Sequence, residues 1–177
     1  DADELLTDEL KIEILSELSN SKYDGYYINR RFYWKGRWIK RGYYPTSLLR
    51  LGRYGKIKCD NRPINEHLVC NTDLVKSLKN DFMDFNRKNL SDWLNKHNDY
   101  STREALQLFD NKKVENTKLF GNQYQRKRWI RQYVWRILPP LIRPVLFFLY
   151  RYFIRLGFLD GKEAFMYHFL HAFLYRM

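Results

Sequence analysis

The stretch "YDGYYINRRFYWKGRWIKRGYYP", residues 23–45, constrains the fold more than any other part of this chain. Aromatic and β-branched residues crowd it, and Gly25, Gly36 and Gly42 punctuate it. Such a pattern fits a half-buried pleated surface, and it reads as two strands joined at "WKGR". "SLLRLGRYGKIKCD" (47–60) continues as a further strand broken by glycine turns. "NEHLVCNTDLVKSL" (65–78) places a short strand on either side of an Asn-Thr-Asp turn.

Helical patterns flank this β-rich middle. Thr7 is placed to cap a helix from Asp8 to about Ser19. Leu10, Ile14 and Leu18 repeat at helical spacing with Leu15 beside them, so they are expected to face the core while Glu13 and Glu17 face water. From Asn80 the pattern is expected to return to helix. Within "NRKNLSDWLNKHNDYSTREALQLFD", residues Leu90, Trp93, Leu94 and His97 repeat helically, and the pattern runs on through Ala105, Leu106 and Phe109. "NKKVENTKLFGNQ" (111–123) is polar and aperiodic, as in a linker or loop. Helix, sheet and helix in 177 residues give an α/β chain about the size of one domain, long enough to bury a core.

The formal net charge of +12 implies an anionic partner. It is concentrated late: residues 125–177 carry ten Lys and Arg against two acids, Asp160 and Glu163. The same segment holds the densest apolar runs. Cations mixed with aromatic and aliphatic residues suit a membrane surface better than a nucleic-acid groove, and no RNA-recognition signature is present. The longest uncharged apolar run, "PVLFFLY", falls far short of the ~20 residues that span a bilayer. Pro139, Pro140 and Pro144 should break the segment into two or three short helices. Arg143, Arg151 and Arg155 share a helical face, as in a helix lying in the interface with its arginines reaching for phosphates. The alternative is a helical hairpin packed on the protein's own sheet. Cys59 and Cys70 suit neither a zinc site nor a disulfide framework and read as reduced, buried thiols.

Asp1 and Asp3, at i and i+2, point the same way at a strand end and can hold a hard divalent cation; acids ahead of a helix are also favoured electrostatically. Arg30, Arg31, Arg37, Lys40 and Arg41 form a basic strip interleaved with Tyr and Trp. Aromatic faces stack on sugar rings and cations hold diphosphates, but a solvated strand face has the same alternation. Trp34 and Trp38 are either acceptor contacts or packing beneath the hairpin, and Arg50 and Arg53 are similarly open. His97, His168 and His171 lie on apolar helical faces and read as hydrogen-bonded core histidines.

The order "DADE", amphipathic helix, "DGYYINRRFYWKGRWIKRGYYP", "LLRLGRYGK", "INEHLV", "KHNDYSTREA" and "RLGFLDGKEAF" resembles the nonprocessive bacterial family 2 glycosyltransferases of lipopolysaccharide, exopolysaccharide and capsule synthesis. The likeness covers essentially the whole chain, and its most specific parts are "KHNDYSTREA" and "RLGFLDGKEAF". It implies a GT-A fold, Rossmann-like in its nucleotide-binding half and with a mixed sheet. The chain would then be the part that starts at the D-x-D motif: residues 1–118 as the acceptor-side half, residues 119–177 as a basic amphipathic membrane-association region. The missing Met ahead of Asp1 accords with this expectation. The resemblance implies Mg²⁺ or Mn²⁺ on Asp1 and Asp3, with Asp3 the closer ligand of the donor diphosphate. It implies Glu66 as catalytic base. His67 follows where many relatives have the pair His-Glu or Glu-Asp; it either tunes Glu66 or faces solvent. The expected partners are a nucleotide-sugar donor, a polyprenyl-diphosphate-linked saccharide and an anionic membrane, at the cytoplasmic face of the inner or plasma membrane. "QRKRW" fits the Q-x-x-R-W string of processive cellulose and hyaluronan synthases, which would set Gln125, Arg128 and Trp129 beside the substrates. The alternative is a basic collar at the membrane surface.

Overall fold

The computed structural model describes residues 3–19, 22–59, 67–109, 120, 125–126, 129–130, 133 and 137–176. A five-stranded mixed sheet is its centre. Strand β1 (Glu4–Leu6) and helix α1 (Asp8–Leu18) come first. β2 (Gly25–Trp34) and β3 (Arg37–Trp38) form the expected hairpin, turning at Lys35 and Gly36, both with positive φ. β4 (Ser47–Gly52) pairs back on β2, and β5 (Ile57–Cys59) with β6 (Leu68–Cys70) makes a separate two-stranded sheet. β7 (Val75–Asn86) runs parallel to β2 and antiparallel to β1, giving the order β1-β7-β2, with β3 and β4 both on β2.

β7 overturns the helix expected from Asn80. Residues 81–86, "DFMDFN", alternate between the two faces, with Phe82 and Asp84 buried and Met83 and Phe85 half-buried on the other side, and the strand ends only at Asn86. The helix starts later, as α2 (Leu90–Phe109), with the Asn89 side chain accepting from the Asp92 N–H at 2.8 Å.

β7 also carries a bulge. Tyr27 aligns with Ser77 but Asn29 with Asp81, so residues 78–80 stand opposite Ile28 alone. α1 packs there, and it corrects the expected stripe. Leu10 is buried and Ile14 half-buried, but Leu15 and Leu18 are exposed. Glu13 and Glu17 turn towards β7 instead. The Glu13 carboxylate accepts from the backbone N–H groups of Lys79 (2.8 Å) and Asn80 (2.9 Å), and Glu17 pairs with Lys76. Thr7 caps α1 as expected, its hydroxyl accepting from Leu10 N–H.

Two clusters make the core. Leu10, Tyr26, Ile28, Leu78 and Phe82 lie between α1 and the sheet. Trp34, Ile39, Trp93, Ala164, Tyr167 and Leu170 join the far end of β2 to α2 and the C-terminal helices. Those helices are short, as the prolines require: α3 (Ile142–Leu149), a π-helical turn (Tyr150–Ile154), a 3₁₀ turn (Gly157–Asp160) and α4 (Lys162–His168), prolonged by turns to Arg176. Pro144 is tolerated because it sits in the first turn of α3. No helix among the described residues is long and apolar enough to cross a membrane.

The expected outward reach of the arginines is not what the chain does with Arg151. It is 3% exposed, and its Nε donates to the Gly42 carbonyl at 2.9 Å. Arg155 donates to the Tyr44 carbonyl and Arg143 to the Leu138 carbonyl. The carbonyls and the aromatic rings around Arg151 replace water and lipid as its partners. The cysteines depart from expectation too: both are free, but Cys59 is exposed and Cys70 half-buried.

Candidate functional site

The acidic end of the sheet is built by β1 and β7. Asp3 precedes β1, and its carbonyl accepts from Phe85 N–H at 2.9 Å, which fixes its backbone on β7. Glu4 aligns with Asp84. Arg50 reaches Glu4 from β4, passing over the Phe82 ring, and Arg30 reaches Asp84 from β2 at 3.0 Å. Burial pushes the Asp84 carboxyl up; the Arg30 charge opposes this, and the negative charges of Asp3 and Glu4 add to it. Three carboxylates are thus in electrostatic reach of one another, and two of them already hold a guanidinium. Asp3 keeps an exposed side chain. Oxygen donors of this kind suit Mg²⁺ or Mn²⁺. Among the described residues no group of three His, Cys, Asp or Glu side chains is assembled to hold a metal, so Asp3 would need ligands from Asp1 or from the substrate itself.

The basic strip divides across the sheet because neighbouring strand residues point to opposite faces. Arg30 faces the C-terminal helices, where its guanidinium meets Asp84 and the Tyr43 hydroxyl. Arg31 faces the other way: its Nε donates to Asp81 at 2.8 Å, and the Tyr44 hydroxyl donates to the same carboxylate. On that face the Arg31 guanidinium (5.1 Å) and the Lys40 ammonium (5.3 Å) both lie near the Trp38 ring. Trp34, by contrast, is 2% exposed and packed against Trp93 and Tyr167, so it is core and cannot touch an acceptor. Trp38 is the half-buried member of the pair.

The segment "KRGYYP" docks against "RLGFLDG". Gly42 has φ +74°, and a Cβ there would lie 2.5 Å from the Arg151 carbonyl and 2.8 Å from the His168 ring. A Cβ on Gly157 would also strike the His168 ring, at 2.8 Å. The buried Asp160 carboxylate accepts from the Arg41 backbone N–H at 2.5 Å and pairs with its guanidinium at 3.0 Å. His168 is buried, and its Nε2 donates to the Arg41 carbonyl. Burial, with the Arg151 charge beside it, lowers the His168 pKa to about 3. His171, half-buried and facing Arg151, is lowered in the same direction by desolvation and that charge. His97 stacks on Trp93 at 3.6 Å and bonds the Trp93 carbonyl. All three are core histidines, as their positions on apolar faces suggest.

Of the other residues singled out from the sequence, Asp1, Glu66 and Arg128 lie outside the described residues. So does the polar stretch 111–123, Phe120 apart. His67 is half-buried and leads into β6; Gln125 is half-buried, and Trp129 packs on Tyr133. Asp3, Arg30 and Arg50 are brought to one end of the sheet, Arg31 and Trp38 to its other face. Asp81 and Asp84, the partners that hold Arg31 and Arg30, were not anticipated. The sequence shows their apolar neighbours in "DFMDFN", but that they lie across from Arg30 and Arg31 follows only from the pairing of β7 with β2.

No family model, curated protein or solved structure matches this chain.

Proposed function

We propose that this chain is the acceptor-side part of an inverting, nonprocessive glycosyltransferase that moves one sugar from a nucleotide donor to a lipid-linked saccharide at a membrane surface. The observation that supports this reading most is the anchoring of Asp3 on β7, its side chain exposed beside an acidic end whose other carboxylates are already paired with Arg30 and Arg50. The second member of the D-x-D pair is therefore held by the sheet and open to a ligand. Asp1 and Asp3 would hold a divalent cation, which supplies charge neutralisation for the donor diphosphate. Glu66 is the proposed base: a carboxylate takes the proton of the acceptor hydroxyl as it attacks the anomeric carbon opposite the nucleotide. One base and no covalent intermediate give inversion. Trp38, half-buried beside two cations, is the aromatic surface proposed for the acceptor.

The test uses the enzyme that carries this chain. Glu66→Gln should lower transfer by about 10²–10⁴-fold while nucleotide-sugar binding, followed by calorimetry, stays within a few-fold of the parent. Asp3→Asn should instead weaken Mn²⁺-dependent donor binding. Unchanged turnover in Glu66→Gln removes the base assignment. A ladder of products on a defined primer, in place of one added sugar, removes the nonprocessive reading.

A further inference from the structure

The C-terminal helices bury one side on the sheet and leave the other apolar. Leu149, Phe153, Ile154, Phe158, Phe165 and Phe169 are all exposed, Phe153 at 53% and Ile154 at 73%. The aromatic members form one patch with Phe148 and Tyr152, and Ile154 follows Phe153 directly in the chain. Phe148 contacts Tyr152, Phe165 and Phe169, and Tyr152 contacts Phe153, Phe158 and Phe165, with ring centroids 5.2–6.3 Å apart. Soluble monomers rarely expose a contiguous apolar patch beyond a few hundred Å² without a partner for it.

Charge identifies the partner. Asp160 and Glu163 are the only acids in residues 125–177, and both are drawn towards the sheet. Asp160 is buried on Arg41, and Glu163 pairs with Arg37. Neither acid side chain of this segment is left unpaired, while Lys162 at the start of α4 is exposed. Arg151 and Arg155 donate to the carbonyls of Gly42 and Tyr44, so these two guanidiniums are engaged on the protein's own backbone. We infer that the outward face of α3, the π-helical turn and α4 inserts its aromatic and aliphatic side chains into the interfacial layer of an anionic bilayer, so that apolar burial, not arginine–phosphate pairing, supplies most of the binding. This deepens the reading of the protein as an enzyme acting on a lipid-linked acceptor and rests on it for its biological purpose. Its test needs neither donor nor acceptor.

The chain is floated with vesicles of phosphatidylcholine containing 30% phosphatidylglycerol. The double substitution F153D/I154D should lower the partition coefficient at least tenfold. I12D/L15D, on the equally exposed face of α1, should leave it within twofold. Raising NaCl from 0.1 to 0.5 M should lower wild-type binding less than tenfold. A second variant, Ile154→Trp, adds one indole to the patch, and brominated acyl chains should quench the added emission. Vesicle binding by F153D/I154D equal to wild type, no quenching of the added indole, or loss of binding in salt with F153D/I154D unaffected each overturns the proposal. So does a wild-type dimer that F153D/I154D dissociates while vesicles fail to bind, since the patch then belongs to a second copy. Vesicle binding by this chain, together with no sugar transfer by the enzyme that carries it, would sink the enzymatic reading and leave this one standing.

Discussion

Glu13 offers the sharpest test of how α1 is held. Its carboxylate serves three donors in the β7 bulge: Lys79 N–H at 2.8 Å, Asn80 N–H at 2.9 Å and the Asn80 side-chain amide at 2.9 Å. Residues 78–80 have no aligned partner on β2, so these N–H groups depend on α1. Charge-assisted hydrogen bonds contribute about 1.5–3 kcal/mol each when buried, and the half-exposed setting of Glu13 reduces that to about 0.5–1 each. Glu13→Ala should therefore cost about 2 kcal/mol. Glu13→Gln should cost about half as much, because its amide offers one acceptor oxygen and turns an NH₂ donor towards the remaining N–H. At a urea slope of about 2 kcal/mol per M, the alanine variant's midpoint falls by about 1 M, read from tryptophan fluorescence at pH 7.

The pH dependence has a definite sign. Burial opposes ionisation of Glu13, but the Lys79 and Asn80 N–H donors, the Asn80 amide and the Lys79 charge outweigh it and hold the carboxyl below its ordinary value of 4.5. A depressed carboxyl stabilises the fold above that value and loses its contribution as pH falls through the folded-state pKa. The gap between wild type and Glu13→Ala should thus narrow between pH 6 and pH 3. An unmoved midpoint at pH 7, or a gap that widens on acidification, would refute the reasoning.

Gly42→Ala should destabilise the chain by about 2 kcal/mol or more, seen as a lowered urea midpoint, because the position combines positive φ with a Cβ 2.5 Å from the Arg151 carbonyl. Gly55→Ala, also at positive φ but with nothing within 4 Å, should cost less, and equal losses at the two sites would argue against the docking contact. His168, with its pKa lowered to about 3, stays neutral in the fold while the unfolded chain protonates near 6.5. Stability should be full above pH 6.5 and fall towards pH 3 by up to about 1.4 kcal/mol per pH unit from this residue. Its imidazole C2–H resonance should not move between pH 7 and pH 5, and a midpoint inside that window would contradict its burial.

Much of the fold could be read locally. The Thr7 cap, the "WKGR" hairpin and the run from Leu90 depend on residues near in sequence, and each is where its pattern puts it. What escaped depended on distant partners. "DFMDFN" fell within the region expected to be helical from Asn80, but as a strand its acids Asp84 and Asp81 meet Arg30 and Arg31 on opposite faces. Glu13 looked solvated, until an irregularity in β7 gave it donors. Arg151 looked lipid-facing, but the Gly42 carbonyl and the rings of Tyr43, Tyr167 and Phe147 enclose it. At the acidic end, Asp3 was singled out from its spacing with Asp1, whereas Asp84 and its Arg30 partner came together only through the pairing of β7 with β2.

The bulge has a parity. Between the Tyr27–Ser77 and Asn29–Asp81 alignments, β7 advances four residues while β2 advances two. The surplus is even, so odd-numbered positions of the two strands still share a side. Removing one residue from the kink would exchange the sides: Asp81 would swing towards the helices and Asp84 away from them, parting both arginines from their counter-ions in a single step. A two-residue deletion would keep the sides and erase only the kink, so length variation here should be tolerated in pairs.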